Sequence, residues 1–117
     1  MAVRLSKTWT PFDSAHVQAI TGHLGVYQLG NAHGDIVYIG VAGGRSRFGL
    51  KGELASKLAD KIPDVTSFRI EINMSYRTRH LELLQAFVHD YGRLPIANTD
   101  INIASLGRLR PAGRQVG

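Results

Sequence analysis

The sequence predicts an α/β fold in which a small, central, mainly antiparallel three-stranded sheet, made of a β-hairpin and a third strand, is flanked by helices. Two segments rich in β-branched and aromatic residues are separated by a turn, and a later segment alternates apolar and polar residues. Between them, leucines recur at helical spacing. With 117 residues, 44% of them hydrophobic, the chain has the size of one domain.

The first elements are a short helix and the hairpin. Asp13 is suited to cap a helix that runs to about Thr21. The hairpin strands are predicted at residues 25–29 (GVYQL) and 35–41 (DIVYIGV), because β-branched and aromatic residues dominate both segments. The residues between them, GNAHG, are the types that form a turn.

A second helix and the third strand follow. The helix is predicted from three leucines spaced four residues apart, and it must end before Pro63. These leucines are Leu50, Leu54 and Leu58. The strand is predicted at residues 66–74, where alternation makes one face apolar. That face comprises Phe68, Ile70, Ile72 and Met74.

The third helix begins after Ser75, a capping residue type, and ends at Gly92. Its predicted apolar face comprises Leu81, Leu84, Val88 and Tyr91. Residues 1–98 are therefore expected to form a single domain with an N-terminal helical extension. Residues 99–117 contain arginines among Gly and Pro, so they are expected to form a basic, partly disordered tail.

The amino-acid composition limits the range of possible functions. The chain has no cysteine, which excludes a disulfide framework, a thiolate zinc site and a cysteine nucleophile. It shows neither a signal-peptide pattern nor a long apolar stretch, so a cytoplasmic protein without a membrane partner is expected. The net charge of +5 arises after residue 44, where twelve Lys and Arg stand against seven Asp and Glu. This excess suits either a phosphate-binding surface or an ordinary solvated basic face.

Two tripeptides on the predicted hairpin carry a resemblance to a known family. Gly25-Val26-Tyr27 is followed after ten residues by Tyr38-Ile39-Gly40. Together with a downstream arginine, a helical glutamate and an asparagine, the pair resembles the motif set of GIY-YIG nucleases over residues 25–98. The resemblance implies the GIY-YIG fold and a metal-dependent endonuclease that hydrolyses phosphodiester bonds in DNA.

The resemblance implies catalytic roles at Tyr27, Tyr38, Arg47, Glu82 and Asn98. Both tyrosine hydroxyls would enter the active site, where Tyr27 would act as the general base or its relay. That role requires a neighbour that lowers the tyrosine pKa from about 10. Arg47 would neutralise phosphate charge, and Glu82 would hold Mg²⁺ or Mn²⁺ through a hard carboxylate oxygen. Asn98 would help to shape the site.

Alternatives stay open at three of these positions. Arg45 takes the place of Arg47 as the catalytic arginine if the loop follows a different path. Glu82 has the alternative of a local ion pair with Arg79, three residues earlier in the same helix. Asn98 has the alternative of closing a turn.

Nucleic-acid contacts are assigned to Arg45, Lys51 and Arg79, and His80 is a candidate proton donor to the leaving group. DNA is the expected partner, with RNA as the alternative. The intrinsic sequence specificity of the domain is expected to be low, so that target specificity would come from a homodimer or from a partner protein. Two other functions remain in competition: a nucleic-acid-binding module of the same fold with weak or no activity, and a protein-interaction module.

Overall fold

A computed structural model describes residues 4–99 of the chain. Within this part, three helices and four strands are present. In chain order they are β1 (Thr10–Pro11), α1 (Ser14–Gln18), β2 (Gly25–Gly30), β3 (Ile36–Ala42), α2 (Gly49–Asp60), β4 (Ser67–Ile72) and α3 (Tyr76–Tyr91). Apart from Thr99, the predicted tail lies outside the described residues. No helix within residues 4–99 is long and apolar enough to cross a lipid bilayer.

The strands form one antiparallel sheet in the order β1-β4-β2-β3. β2 and β3 make the predicted hairpin, in which Tyr27 lies opposite Gly40. The small antiparallel sheet flanked by helices is confirmed, but it has one strand more than predicted, because β1 pairs with the outer edge of β4. A strand of two residues is too short to show an alternating pattern, so the sequence did not reveal it.

Helices cover both faces of the sheet. We call the face that carries α3 the α3 face, and its core comprises Leu5, Val26, Ile39, Leu83, Leu84 and Phe87. We call the opposite face, which carries α1 and α2, the α2 face, and its core comprises Val17, Tyr27, Leu29, Ala42, Leu50, Leu54 and Phe68. Successive strand residues point to opposite faces, so Val26 and Tyr27 belong to different layers.

The helix ends predicted at Asp13 and Gly92 are confirmed, and the end predicted near Thr21 is wrong. Asp13 caps α1, since its carboxylate accepts a hydrogen bond from the His16 amide at 2.9 Å. Gly92 ends α3 in the left-handed conformation, at φ 72°. However, α1 ends at Gln18 rather than near Thr21, because the next two amides bond to carbonyls three residues back.

Two predicted apolar faces are only partly buried. On α3, Leu84 is buried as predicted, but Leu81 and Tyr91 are 40% and 62% exposed. The residues that join Leu84 in the interior are Leu83, Ala86 and Phe87. The large Phe87 ring belongs to the core on the sheet, Val88 packs against that core, and Tyr91 packs on Phe87 with ring centroids 4.5 Å apart.

The predicted third strand also ends early. Phe68 is buried, but Ile72 and Met74 are 54% and 77% exposed. β4 stops at Ile72 because its partner β2 begins at the opposing residue, Gly25. Met74 therefore has no neighbouring strand beside it.

The outer edge of β3 is covered by the segment that follows α3. Ala97 donates its amide hydrogen to the carbonyl oxygen of Val37 at 3.0 Å. The Asn98 side chain then bonds to both backbone groups of Ile39. Edge strands with unpaired backbone groups can pair with other chains, and this segment removes that opportunity at the centre of β3.

Candidate functional site

On the α2 face, Tyr27 contacts both Tyr38 and a glutamate from α2. The centroids of the two tyrosine rings are 5.9 Å apart. The Tyr27 hydroxyl donates to Oε1 of Glu53 at 3.4 Å, and the Ser46 hydroxyl donates to Oε2 at 3.1 Å. Nζ of Lys57 lies 4.5 Å from the ring centroid of Tyr38. We call Tyr27, Tyr38, Ser46, Glu53 and Lys57 the tyrosine–glutamate cluster.

The glycines of the two tripeptides allow the strands to approach this closely. A Cβ on Gly40 would lie 2.1 Å from Cζ of Tyr27, its cross-strand neighbour. A Cβ on Gly25 would lie 2.1 Å from the carbonyl oxygen of Glu71. Each glycine is therefore required by packing, because any side chain would overlap a ring or a backbone atom.

The loop between β3 and α2 is tied to the cluster through Ser46. Its hydroxyl oxygen accepts a hydrogen bond from the Gly43 amide at 3.0 Å, and its own amide donates to the Gly43 carbonyl at 2.9 Å. The same hydroxyl donates to Glu53. Glu53 and Lys57 are four residues apart on α2, a spacing that places both side chains on one face of the helix.

The environment of Tyr27 keeps its hydroxyl protonated. Burial raises the pKa of Tyr27 far above its usual value, and charge on Tyr38 and Glu53 acts in the same direction. A phenolate base at this position requires a neighbour that lowers the pKa, whereas these neighbours raise it. Tyr27 therefore acts here as a hydrogen-bond donor that orients Glu53.

Glu82, the predicted metal ligand, lies on the α3 face. Its Oε1 pairs with Nη1 of Arg79, which is the local ion pair expected as the alternative role. Arg79 also donates to both carboxylate oxygens of Glu71, at 2.8 and 3.2 Å. Glu71 stands opposite Val26 in the β2–β4 register and so shares its face of the sheet. The structure therefore does not bring Glu82 to the ring of Tyr27, which lies in the other layer.

In this α3-face network the single guanidinium of Arg79 faces the carboxylates of both Glu71 and Glu82. Burial raises the pKa of Glu71, but hydrogen bonds from Arg79 and Asn73 outweigh burial, so the pKa lies below its usual value. Burial lowers the pKa of Arg79, but its bonds to Glu71 and Glu82 outweigh burial and raise it. Arg79 was predicted to contact nucleic acid; in the structure it is 9% exposed, and its guanidinium pairs with both glutamates.

The two candidate catalytic arginines lie in the loop before α2. Arg45 and Arg47 are both exposed, and Lys51 in the first turn of α2 is half-buried. Within residues 4–99 none of the three forms an ion pair. We call Arg45, Arg47 and Lys51 the basic loop surface. It is joined to the tyrosine–glutamate cluster by Ser46, which lies between the two arginines in the chain.

Asn98 and His80 both contact the central residue of the second tripeptide. Oδ1 of Asn98 accepts from the Ile39 amide, and Nδ2 donates to the Ile39 carbonyl, each at 2.9 Å. The Asn98 amide also closes a turn onto the Pro95 carbonyl at 3.0 Å. Nε2 of His80 lies 3.3 Å from the same Ile39 carbonyl. Asn98 therefore holds β3 in place and closes the turn expected as its alternative role.

Three residues of the cluster were not selected from the sequence: Ser46, Glu53 and Lys57. Glu53 and Lys57 each directly precede a leucine of the α2 stripe, namely Leu54 and Leu58. A polar residue at that position flanks the buried face of a helix. This flanking position, repeated after four residues, is the signal that points to them.

Two carboxylates are candidates for holding a metal ion. Within the described residues, no group of three or more His, Asp or Glu side chains is placed to share an ion. At Glu82 a metal would compete with the Arg79 guanidinium, whereas at Glu53 both oxygens accept from neutral hydroxyls. Mg²⁺ is commonly held by one or two carboxylates together with waters and substrate phosphates, so Glu53 has suitable chemistry.

Fold and cluster together define the class: a small α/β domain with a hairpin tyrosine pair that faces a helical glutamate. The chain belongs to the family described as Domain of unknown function (DUF7508), which matches residues 3–90. The match includes the whole tyrosine–glutamate cluster and Glu82, while Asn98 lies beyond it. No curated protein and no solved structure matches the chain.

Proposed function

We propose that this protein is a GIY-YIG-like, metal-dependent endonuclease that hydrolyses phosphodiester bonds in DNA with low sequence specificity. The observation that supports it most is that Tyr27 contacts both Tyr38 and the carboxylate of Glu53 on one face of the sheet. The exposed basic loop surface beside this cluster suits a phosphate backbone.

The cluster offers groups for each requirement of phosphodiester hydrolysis. Glu53 would hold Mg²⁺ or Mn²⁺, which when bound stabilises charge on the leaving oxygen and on a non-bridging phosphate oxygen. Tyr27 fixes the Glu53 carboxylate by donating to Oε1. The half-buried Tyr38 would orient the attacking water through its hydroxyl. Arg47 would neutralise the charge that grows on the phosphate in the transition state.

Glu53, rather than Glu82, is the proposed ligand of the metal ion. Glu82 already has a cationic partner in Arg79, and the two lie on the α3 face. Glu53 lies within hydrogen-bond distance of Tyr27, where the resemblance implies that chemistry occurs. The two glutamates are both half-buried and both helical, so they form a matched pair for mutation.

A second function, a nucleic-acid-binding module without turnover, is favoured by two observations. The pKa of Tyr27 is raised by burial and by its neighbours, which disfavours a phenolate base. Glu82 is engaged by Arg79. If cleavage requires Tyr27 as a base and Glu82 as a metal ligand, as the GIY-YIG resemblance implies, the protein would bind nucleic acid without cutting it.

The experiment measures cleavage of plasmid, single-stranded and branched DNA with Mg²⁺ or Mn²⁺. Wild type is compared with Glu53→Gln, Glu82→Gln and an EDTA control. We expect cleavage to be lost in EDTA and to fall about 100-fold or more in Glu53→Gln, because one electrostatic contact in a transition state is worth about that much. Glu82→Gln should retain cleavage within about threefold.

Each other result has a defined meaning. Loss of cleavage in Glu82→Gln with retention of cleavage in Glu53→Gln would indicate that Glu82 on α3 holds the metal ion. A folded wild type that cuts no substrate but binds DNA or RNA in a salt-dependent manner would be the inactive binder. A folded wild type that neither cleaves nor binds nucleic acid would favour the protein-interaction module.

A further inference from the structure

Phe48 is exposed and held in an unusual backbone conformation. Its side chain is 72% exposed, and its φ of 63° places a bulky residue in the left-handed region. The left-handed conformation is unfavourable for a bulky residue. Phe48 occupies the N-cap position of α2, yet its side chain makes no capping hydrogen bond. Neither capping nor core packing therefore explains the ring.

The backbone around Phe48 is fixed on both sides. The Gly49 amide donates to the Ser46 carbonyl at 3.3 Å, and the Leu50 amide donates to the His23 carbonyl at 2.8 Å. A Cβ on Gly49 would lie 2.0 Å from the Gly22 carbonyl oxygen, which shows how closely the two segments approach. The ring is thus presented to solvent by a fixed loop.

The surroundings of the ring are basic and lie next to the cluster. Residues 45–51 contain Arg45, Arg47 and Lys51 and no acidic residue. Ser46, two residues before Phe48, donates to Glu53 of the tyrosine–glutamate cluster. An exposed aromatic ring in a loop with three cations, tied through Ser46 to the carboxylate of Glu53, is complementary to a nucleotide, which offers a ring and a phosphate.

We propose that Phe48 stacks on an unpaired base of a nucleic acid whose phosphates lie on the basic loop surface. The inference rests on the proposed function and names its substrate class: single-stranded or branched nucleic acid is preferred to full duplex. Bases inside a duplex already stack on each other, so only an unpaired base can offer its face to Phe48. Paired DNA would meet the same cations but would gain nothing from the ring.

The test compares binding of a single-stranded oligonucleotide with that of the same strand in a full duplex, by fluorescence anisotropy in EDTA. The variants are Phe48→Ala, Phe48→Trp, which retains a stacking ring, and Ile96→Ala, which removes another strongly exposed apolar side chain. Phe48→Ala should weaken single-strand binding about 5- to 100-fold, the range for loss of one stacked base. Duplex binding should change less than about twofold, and Phe48→Trp should stay within about threefold of wild type.

Equal effects of Phe48→Ala on both substrates, or no effect on either, would overturn the inference. In that case salt-dependent binding by wild type would leave the proposed function standing. If wild type binds neither substrate, both proposals fall, and the ring becomes a candidate contact for another protein. Circular dichroism checks the fold of each variant. Phe48→Gly, which relieves the left-handed strain, replaces the alanine variant if that one fails to fold.

Discussion

Replacing Asn98 with alanine is expected to loosen the outer edge of the sheet while leaving the cores of both faces intact. The Asn98 side chain is 4% exposed, and it satisfies both the amide and the carbonyl of Ile39 at 2.9 Å. Alanine offers neither a donor nor an acceptor. Both backbone groups of Ile39 then lose this partner, although Nε2 of His80 stays 3.3 Å from the carbonyl.

The size of the effect follows from these two bonds. A buried polar group left without its partner costs about 1–3 kcal/mol. The Ile39 amide should bear the full cost and the carbonyl a smaller one, since His80 remains beside it, so the total is about 2–4 kcal/mol. For a domain of this size, that loss lowers Tm by about 10–25 °C. Asn98→Asp should cost at least as much at neutral pH, because it turns a carboxylate toward the Ile39 carbonyl.

Thermal and urea denaturation, followed by circular dichroism, measure the change. Thr99→Ala is the matched control, because Thr99 is the exposed neighbour of Asn98, and it should change stability by less than about 0.5 kcal/mol. A Tm for Asn98→Ala within about 3 °C of wild type would refute the reasoning. The role of Asn98 would then be reduced to its backbone turn with Pro95, which alanine preserves.

Two further predictions concern Tyr27. Gly40→Ala should destabilise the protein by about 3 kcal/mol in urea denaturation, because the new Cβ would lie 2.1 Å from Cζ of Tyr27. Gly44→Ala is the control, since its new Cβ would lie 3.4 Å from its nearest neighbour, and its effect on stability should be near zero. Equal effects of the two substitutions would contradict the packing argument. Because the folded pKa of Tyr27 is raised, its contribution to stability is fully present below about pH 10 and is lost as the pH rises toward the folded value. Tyr27→Phe should abolish this loss of stability at high pH. A phenolate absorbance of Tyr27 that appears in the folded protein at an ordinary tyrosine pKa would disprove the prediction.

Local signals in the sequence were enough to predict most elements. The hairpin is encoded by two β-rich segments and the turn residues between them, and α2 is encoded by its leucine spacing. Asp13 and Gly92 mark helix ends because capping depends on the chemistry of one or two residues. Such features need no information from distant parts of the chain.

Features that depend on distant contacts were not predicted. Which side of α3 is buried depends on how the helix fits the sheet: Leu81 is on the exposed side, whereas Tyr91 packs on Phe87 but remains exposed at the end of the helix. β1 exists because it pairs with β4, more than fifty residues later in the chain. The partner of Glu82 was foreseen as Arg79, but the second carboxylate, Glu71, is brought in by the sheet.

The candidate site was predicted in its hairpin half only. Two tripeptides on paired strands bring Tyr27 and Tyr38 together by strand register, which can be read from their spacing. Glu53 joins them because α2 packs on the same face as Tyr27, and the direction in which a helix crosses a sheet is set by the cores of both. Its side chain could not be ranked above Glu82 by sequence spacing alone.

The partners of the two helical glutamates decide which of them suits a metal ion. Glu53 and Glu82 have the same side chain and similar exposure, but Glu82 accepts from a guanidinium and Glu53 from two hydroxyls. A cation that approaches Glu82 must displace Arg79 and leave it beside a new positive charge, which is unfavourable. A cation that approaches Glu53 meets a carboxylate that accepts hydrogen bonds from the hydroxyls of Tyr27 and Ser46. The loop that carries the basic loop surface and Phe48 is tied to Glu53 through the hydroxyl of Ser46.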